Sequence, residues 1–333
     1  MMTLQQMTNN RSLTASSIIL AQNPVLIQSH YGNKGNFELV VPLASGGMAH
    51  FFRDNDAPGF PWYYTTNFGT GYVDAISMIE SNFGIPGNLE VIARVGSQLF
   101  AYYRDTSWHG PFPVPTNGLV ISGNPVLIQS RFGSKGNFEM IVPLASGGMA
   151  HFFRDNDAPG FPWHYTTTFG TGYVDAVSMI ESNFGMPGNL EVVARIGSQL
   201  FAYYRDTSWH GPFPIPTNGV VISGNPALIQ SHFGNKGNFE LVSPLASGGM
   251  VHFFRDNDAP GFPWHCTTTF GTGYIDAISM IESNFGMPGN LEVAARVGSQ
   301  LFAYYRDSAW HGPSPIVVNI SQQSEKLMTN MFV

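Results

Sequence analysis

Short runs of apolar residues alternate along the chain with clusters of Gly, Pro, Asn and Ser. This pattern predicts short β-strands joined by turns, because a helix needs a longer periodic segment without Gly and Pro. The run Phe37–Val41 alternates only partly between apolar and polar residues, which is typical of a strand packed on both faces. The first four predicted strands are Val25–Ser29, Phe37–Pro42, Met48–Arg53 and Trp62–Phe68.

The next stretch of chain follows the same plan. The tight connection Val95-Gly96-Ser97 suits a hairpin turn that requires a positive φ. The prolines of the run Val114–Ile121 predict an outer edge strand, where a missing N–H is tolerated. The inner strands predicted for this stretch are Ile76–Glu80, Leu89–Arg94 and Leu99–Arg104.

Internal repetition determines the architecture. Asn-Pro pairs at residues 23, 124 and 225 open three near-identical copies, which are 101 residues apart. Each copy contains a weaker two-fold repeat, in which Asn36–Glu38 corresponds to Asn88–Glu90 and Phe52–Asp54 corresponds to Tyr103–Asp105. The six tryptophans continue this series. The basic unit is therefore about 50 residues long and occurs six times, in two alternating types.

Four strands per unit, in six units, predict an all-β protein with a six-bladed β-propeller fold. A solenoid of β-turns would use shorter repeats, and leucine-rich repeats would need a helix in every unit. We predict one domain over residues 1–333, with the double repeats at 23–123, 124–224 and 225–320.

The two ends of the chain are predicted to close the ring. Ile18–Gln22 is in register with Leu119–Gly123, which connects one copy to the next. The last unit is followed by another β-prone run, Ile316–Ile320. We therefore expect segments 1–22 and 316–333 to complete one blade, which removes the sheet edge that a ring cannot leave open.

Composition excludes several classes of protein. Only 11% of the residues are charged, and 37 Gly and 23 Pro argue against a helical bundle or a coiled coil. The net charge of −7 does not provide the basic surface that nucleic acid requires. The single cysteine, Cys266, excludes an intramolecular disulfide and a Cys-based zinc cage. Because it occurs in one copy of three, we expect it to be inert.

The sequence gives no membrane or export signal. No apolar run approaches the roughly 20 residues of a membrane span. The segment Met1–Gln22 has one Arg, and its apolar stretch is too short for a signal peptide. We expect a soluble protein that is cytoplasmic or leaves the cell without a leader, and its oligomeric state, including a homo-oligomer, stays open.

The repeated segments Gly-Asn-Leu-Glu-Val, Ala-Arg-Val-Gly and aromatic-Arg-Asp resemble tandem repeats of bacterial proteins thought to be propellers. The overall plan is similar to that of six- and seven-bladed propeller lectins, including the fucose-binding and tectonin-type groups. The resemblance covers about residues 23–315 and lies in the architecture more than in individual motifs. It implies a propeller fold and a carbohydrate ligand.

The main candidate chemistry is a repeated cluster of aromatic residues, Arg, Asp and Trp. A sugar ring needs an aromatic face for its C–H groups and donors and acceptors for its hydroxyls. A structural role is the alternative, with Trp filling the blade core and Arg–Asp tying neighbouring strands together. The candidate carbohydrate-binding residues are Arg53, Asp54, Trp62, Arg104, Asp105, Trp108, Arg154, Asp155, Trp163, Arg205, Asp206, Trp209, Arg255, Asp256, Trp264, Arg306, Asp307 and Trp310.

Glutamates inside the apolar strands are secondary candidates. An unpaired buried carboxylate is costly, so Glu38 and Glu90 are expected to pair with an arginine of the same or the next blade, with Arg94 as one candidate. The resemblance to propeller lectins implies that a Glu–Arg pair between blades holds a sugar. A structural salt bridge between blades is the alternative.

Metal binding and cofactors are not expected. The loop Asp54–Gly59 has some features of a calcium loop, but Ala and Pro occupy places where further ligands are needed. An Asx-turn is the better interpretation. The histidines at 50, 151 and 252 occur once per copy and are too far apart in sequence to form a ligand-spaced pair.

Repetition also discriminates between functions. A propeller enzyme usually uses one asymmetric site at the central channel, whereas near-identical blades present the same groups several times. Several equal sites provide the avidity that weak sugar binding requires. The sequence therefore predicts a multivalent lectin, not an enzyme, with three or six sites and with glycans or glycoconjugates as partners. The alternatives are a protein-interaction scaffold and a hydrolase or lyase that works at the channel.

Overall fold

The computed structural model describes residues 24–316 as six antiparallel sheets, each of four consecutive strands. The first sheet contains β1–β4, at Val25–Gln28, Phe37–Pro42, Met48–Arg53 and Trp62–Phe68. The second and third contain β5–β8, at Ala75–Glu80, Leu89–Val95, Gln98–Arg104 and Trp108–Val114, and β9–β12, at Val126–Gln129, Phe138–Pro143, Met149–Arg154 and Trp163–Phe169. The fourth and fifth contain β13–β16, at Ala176–Glu181, Leu190–Ile196, Gln199–Arg205 and Trp209–Ile215, and β17–β20, at Ala227–Gln230, Phe239–Pro244, Met250–Arg255 and Trp264–Phe270. The sixth contains β21–β24, at Ala277–Glu282, Leu291–Val297, Gln300–Arg306 and Trp310–Pro315.

The six sheets form the predicted six-bladed propeller. The first strand of each sheet contacts the first strands of the sheets before and after it, and β1 contacts β21 to complete the ring. Blades 1, 3 and 5 come from the first half of each 101-residue copy and are called odd blades here. Blades 2, 4 and 6 come from the second half and are called even blades.

The junction between blades 6 and 1 repeats the contacts found between blades 2 and 3 and between blades 4 and 5. The backbone N–H of Leu26 donates to Ser279 Oγ at 3.1 Å, and Gln28 Nε2 donates to Asn284 Oδ1 at 3.1 Å. Ile316, the last described residue, joins the core cluster that contains Leu26 and residues of blade 6. The remaining parts of the predicted closing segments, residues 1–22 and 317–333, lie outside the described residues.

Apolar side chains fill the space between neighbouring blades. Each of the six core clusters combines residues of two adjacent blades. All residues of β2 are buried, which confirms the prediction of strands packed on both faces. Gly96 adopts φ +62° in the hairpin between β6 and β7, also as predicted. Burial of these faces is the main force that holds the ring together.

The outer strand of the even blades begins earlier than the sequence indicated. In blade 2 it is β8, which starts at Trp108 because the short turn after Arg104 lets these two residues pair at once. The run predicted as a strand, Val114–Ile121, is a loop after Val114, with Asn117 at φ +52° and Ile121 in an isolated bridge to Leu144. Across residues 24–316 the fold has no helix of the length and apolar character that crossing a bilayer demands.

Candidate binding sites between the blades

Two kinds of interface alternate around the ring. At an even–odd interface an even blade meets the next odd blade, as blade 2 meets blade 3. At an odd–even interface an odd blade meets the next even blade, as blade 1 meets blade 2. In both kinds, the first blade places a glutamate near the start of its second strand, and the next blade places an arginine at the end of its third strand. The predicted residues therefore fall into two different environments.

A cavity of about 490 Å³ lies at the even–odd interface between blades 2 and 3. This volume is within the range of about 300–1,000 Å³ that is usual for small-molecule sites. The cavity contains the predicted residues Arg154 and Trp163 together with a glutamate and several aromatic rings. The lining residues are Glu90, Ala101, Tyr102, Tyr103, Phe112, Pro113, Pro115, Arg154, Gly160, Phe161, Pro162 and Trp163.

Glu90 is the acceptor of this cavity. Its Oε1 accepts a hydrogen bond from Ser81 Oγ at 3.3 Å, whereas its Oε2 lies 3.7 Å from Nη1 of Arg154, beyond hydrogen-bond distance. Burial raises the pKa of Glu90 to about 7, and the charge of Arg154 opposes that rise only in part. Glu191 and Glu292 at the other two even–odd interfaces have pKa values raised to about 7 for the same reason.

Arg154 is held rigidly. Its Nε donates to Asn156 Oδ1 at 2.7 Å, and its guanidinium stacks on the ring of Phe138 at 3.7 Å. Asn156 is itself fixed, because its Nδ2 donates to the carbonyl oxygen of Gly136 at 2.6 Å. Burial lowers the pKa of Arg154, but an arginine stays charged at any physiological pH. The side chain therefore presents its terminal nitrogens from a fixed position.

Aromatic rings form the walls of the cavity. Tyr103 and Phe112 stack nearly in parallel, with ring centroids 5.9 Å apart and an angle of 11°. Phe161 reaches the rim from a left-handed conformation, φ +49°, and its ring contacts that of Phe83. Together with Trp163 these rings provide faces for the C–H groups of a bound molecule.

The three even–odd interfaces have the same layout, and they differ in a few residues. The interface between blades 4 and 5 places Glu191 3.6 Å from Arg255, and that between blades 6 and 1 brings Glu292 into electrostatic contact with Arg53. Phe213 stacks on Tyr204 as Phe112 stacks on Tyr103. In blade 6, Ser314 occupies this position, so Tyr305 lacks the second ring of the wall.

The odd–even interfaces use their predicted residues differently. Trp108 stacks on Phe68, with centroids 3.7 Å apart and an angle of 2°, which covers one face of its indole ring. Arg104 lies 5.7 Å from the ring of Tyr31. It lacks the supports of Arg154, because Leu89 and Thr106 occupy the positions of Phe138 and Asn156 in the repeat. The same arrangement holds at Trp209 with Phe169 and at Trp310 with Phe270.

The predicted aspartates shape the loops and do not line the cavity. Asp54 Oδ1 accepts hydrogen bonds from the backbone N–H groups of Asp56 and Ala57, which confirms the Asx-turn. Asp155 and Asp256 do the same in their copies.

In the even blades the corresponding aspartate also bonds within its own turn. Asp105 Oδ1 accepts from the N–H of Ser107 and lies 3.0 Å from His109 Nε2. These hydrogen bonds, together with one from Thr106, lower the pKa of Asp105 below its ordinary value. Asp206 and Asp307 have the same arrangement, and hydrogen bonds lower their pKa values as well.

Two further predictions concern Arg94 and metal ions. Arg94 is not near Glu90: its Nη1 donates to the carbonyl oxygen of Gly96 and lies 3.6 Å from Asp74. Within the described range 24–316, no group of three or more His, Cys, Asp or Glu side chains is arranged to hold a metal ion.

A small cavity of about 140 Å³ lies among the first strands of the blades, which contact one another around the centre of the ring. It is lined by equivalent residues of all three copies, and none of the lining side chains is ionisable. The lining residues are Pro24, Val25, Ile76, Ser77, Asn124, Pro125, Val126, Val177, Ser178, Asn225, Pro226, Ala227, Leu228, Ile278, Ser279 and Met280. Among the residues from 24 to 316 that line this cavity, none can act as a general acid or base.

No family model matches the chain, and no curated protein matches its sequence. Solved structures share its fold. The BP39L lectin from Burkholderia pseudomallei superposes with a TM-score of 0.65 at 18% identity, over 88% of this chain and 84% of that one. A mutant Aleuria aurantia lectin in complex with Fucα1-6GlcNAc gives 0.65 at 14% identity, over 91% and 99%. The NanB sialidase from Streptococcus pneumoniae gives 0.64 at 9% identity, over 84% and 66%. These likenesses establish the propeller fold.

Proposed function

We propose that this protein is a multivalent carbohydrate-binding protein, a lectin, with one sugar site at each of its three even–odd interfaces. The observation that carries the proposal is the cavity in which Glu90 Oε2 and the fixed guanidinium of Arg154 face each other beside five aromatic rings. This combination of one acceptor, one planar donor and aromatic faces is what a pyranose ring requires.

Each group has a defined task in binding. Glu90 accepts hydrogen bonds from one or two sugar hydroxyls, because its Oε2 has no hydrogen-bond donor within the described part of the chain. Arg154 donates to the hydroxyl or ring oxygens from its anchored guanidinium. Trp163 and the Tyr103–Phe112 pair pack against the C–H faces of the ring. Of the predicted set, Arg53, Trp62, Arg255 and Trp264 take the same roles at the other two sites.

The chemistry of the walls favours a sugar with an apolar edge. Most of the lining is aromatic or aliphatic, and its two charged side chains are Glu90 and Arg154. A 6-deoxy sugar such as fucose presents a methyl group to such a wall and hydroxyls to the pair. Two of the similar structures, those of the Aleuria aurantia lectin and SapL1, hold fucosides. We therefore take α-methyl fucoside as the first ligand to test.

Multivalency compensates for weak single sites. A shallow sugar site of this kind is expected to have a Kd in the millimolar to micromolar range. Three sites on one rigid ring raise the avidity for a glycan-coated surface by about 10²–10⁴, if the surface lets them bind together. This matches the repetition of the site better than a single catalytic centre does.

Titration calorimetry with α-methyl fucoside, together with a glycan array, tests the proposal. We expect about three sugars per chain and array signals confined to a related set of glycans. A silent array together with no heat of binding would remove the proposal. Protein partners that stay bound in excess free sugar would favour the interaction scaffold, and release of a sugar product would favour a hydrolase.

A further inference from the structure

Each odd–even interface contains a glutamate at the position equivalent to Glu90, but both of its carboxylate oxygens already have partners within the protein. Glu38 Oε2 lies 2.8 Å from Nε2 of His50, and its Oε1 accepts a hydrogen bond from Ser29 Oγ at 3.0 Å. The same His–Glu contact occurs at 2.7 Å between His151 and Glu139 and between His252 and Glu240. Both oxygens of these carboxylates therefore have a partner inside the protein.

The histidine is fixed inside the interface. His50 is 1% exposed, and its Nδ1 lies 2.9 Å from Thr65 Oγ1 of the neighbouring strand. Its ring also meets the indole of Trp108 of the next blade edge-on, with centroids 5.6 Å apart. The imidazole thus lies between the glutamate of one blade and the tryptophan of the next.

Even blades have alanine at the position of this histidine. His50 precedes Arg53 by three residues on the third strand, and Ala101 precedes Arg104 by the same number. Ala101 lines the cavity between blades 2 and 3, beside Glu90 and Trp163. The substitution therefore replaces a buried ring that bonds the glutamate with a methyl group that leaves it free.

The cavities of the two interfaces differ accordingly. Between blades 5 and 6, an odd–even interface, a groove of about 390 Å³ is lined by Thr267–Phe270, Arg306 and Ser308–Trp310. Neither Glu240 nor His252 lines it, whereas the cavity of blades 2 and 3 reaches Glu90. Trp310, which lines the groove, meets the ring of His252 edge-on, and His252 in turn contacts Glu240.

We infer that His50, His151 and His252 close the odd–even interfaces to sugar and so limit the ring to three binding sites instead of six. The inference rests on the proposed function for its consequence, the number of sugars bound. The residue proposed to close the interface is histidine in the odd blades, and alanine takes its place in the even blades.

The first test moves the histidine into an open interface. Ala101→His should fill the cavity between blades 2 and 3, so that calorimetry with α-methyl fucoside gives two sugars per chain instead of three. The control, Thr106→His, places a histidine at an exposed position of the same blade, outside this cavity, and should retain three. Three sugars bound to a folded Ala101→His protein would overturn the inference.

The second test does not depend on sugar. Crystal structures of Ala101→His and of His151→Ala, both without ligand, should show opposite changes. In the first, the new imidazole should lie within hydrogen-bond distance of Glu90 Oε2, and in the second a cavity should reach Glu139. A new side chain turned to solvent in Ala101→His, or no cavity at Glu139, would overturn the inference. If the wild-type protein binds no sugar, the proposed function fails, but the two structures still show whether the histidine closes the interface. If His151→Ala does not fold, the structure of Ala101→His alone answers that question.

Discussion

Glu90 and Arg154 face each other across an interface between two blades, with 3.7 Å between Oε2 and Nη1. Each is held by its own blade, Glu90 by Ser81 and Arg154 by Asn156 and Phe138. They are close enough to interact electrostatically but too far apart for a hydrogen bond. A donor and an acceptor that are fixed but not joined are preorganised for a ligand that bridges them.

Removal of one such arginine should remove one site. Arg154→Ala deletes the charged donor at the interface of blades 2 and 3, a loss of about 1.5–3 kcal/mol for charge-assisted hydrogen bonds. Calorimetry with α-methyl fucoside should then give two sugars per chain. The matched control is Arg205→Ala, which removes the equivalent arginine at an odd–even interface and should leave three. Equal effects of the two variants would contradict the assignment.

Sugar affinity should fall as the pH is lowered below about 7. The pKa of Glu90 is raised to about 7, and hydroxyl donors bond the ionised form better than the neutral form. Binding is therefore linked to loss of a proton, and Kd should rise by up to about tenfold per pH unit below 7. Above about pH 8 the affinity should be constant. Calorimetry between pH 5 and 9 measures this, and a flat profile would contradict a role for the carboxylate.

The same three glutamates should lower the stability of the ligand-free protein as the pH rises. Their pKa values are about 7 in the folded protein and about 4.5 in the unfolded chain, so the folded state retains protons that the unfolded state has released. Their stabilising contribution is present below pH 4.5 and is lost as the pH rises to 7, at about 1.4 kcal/mol per pH unit for each glutamate.

Urea unfolding at pH 5 and pH 7 checks this linkage. The triple variant Glu90→Gln, Glu191→Gln and Glu292→Gln should lose less stability between the two pH values than the wild type does. If both proteins lose the same free energy of unfolding between pH 5 and pH 7, the ionisation of these buried carboxylates does not destabilise the folded state.

The site between blades 6 and 1 should be the weakest of the three. Ser314 stands where Phe112 and Phe213 complete the aromatic wall, and an aromatic pair is worth about 0.5–1.5 kcal/mol beyond its burial. Ser314→Phe should therefore tighten this site by up to about tenfold. Calorimetry should resolve two strong sites and one weak site in the wild type and three similar sites in the variant. Three identical sites in both proteins would contradict the role of the wall.

The fold was predictable because every unit carries the same order of strands and turns. The repeat length and the count of strands per unit lead to a six-bladed ring without knowledge of any single contact. The start of β8 was predicted wrongly, because it depends on how soon Trp108 can pair with Arg104 after a short turn. The register between two paired strands depends on the turn that connects them, and the strand propensity of the residues does not determine it.

The candidate site was only partly accessible from the sequence. The repeat shows Arg, Asp and Trp as one cluster, but the aspartates bond their own turns, and each arginine acts with the glutamate of the preceding blade. The two kinds of interface can be distinguished by comparing the two halves of a repeat, in which Ala101 corresponds to His50 and Thr106 corresponds to Asn55. The effect of these substitutions becomes clear only when it is known which blades are neighbours, and an alignment of the repeats does not provide that information.

A crystal structure of the protein soaked with α-methyl fucoside shows which interfaces bind sugar. Sugar should lie in the interfaces of blades 2 and 3, 4 and 5, and 6 and 1, with its hydroxyls bonded to Glu90, Glu191 and Glu292. The other three interfaces should contain no sugar. Sugar in all six interfaces, or bound only at the central channel, would contradict this prediction.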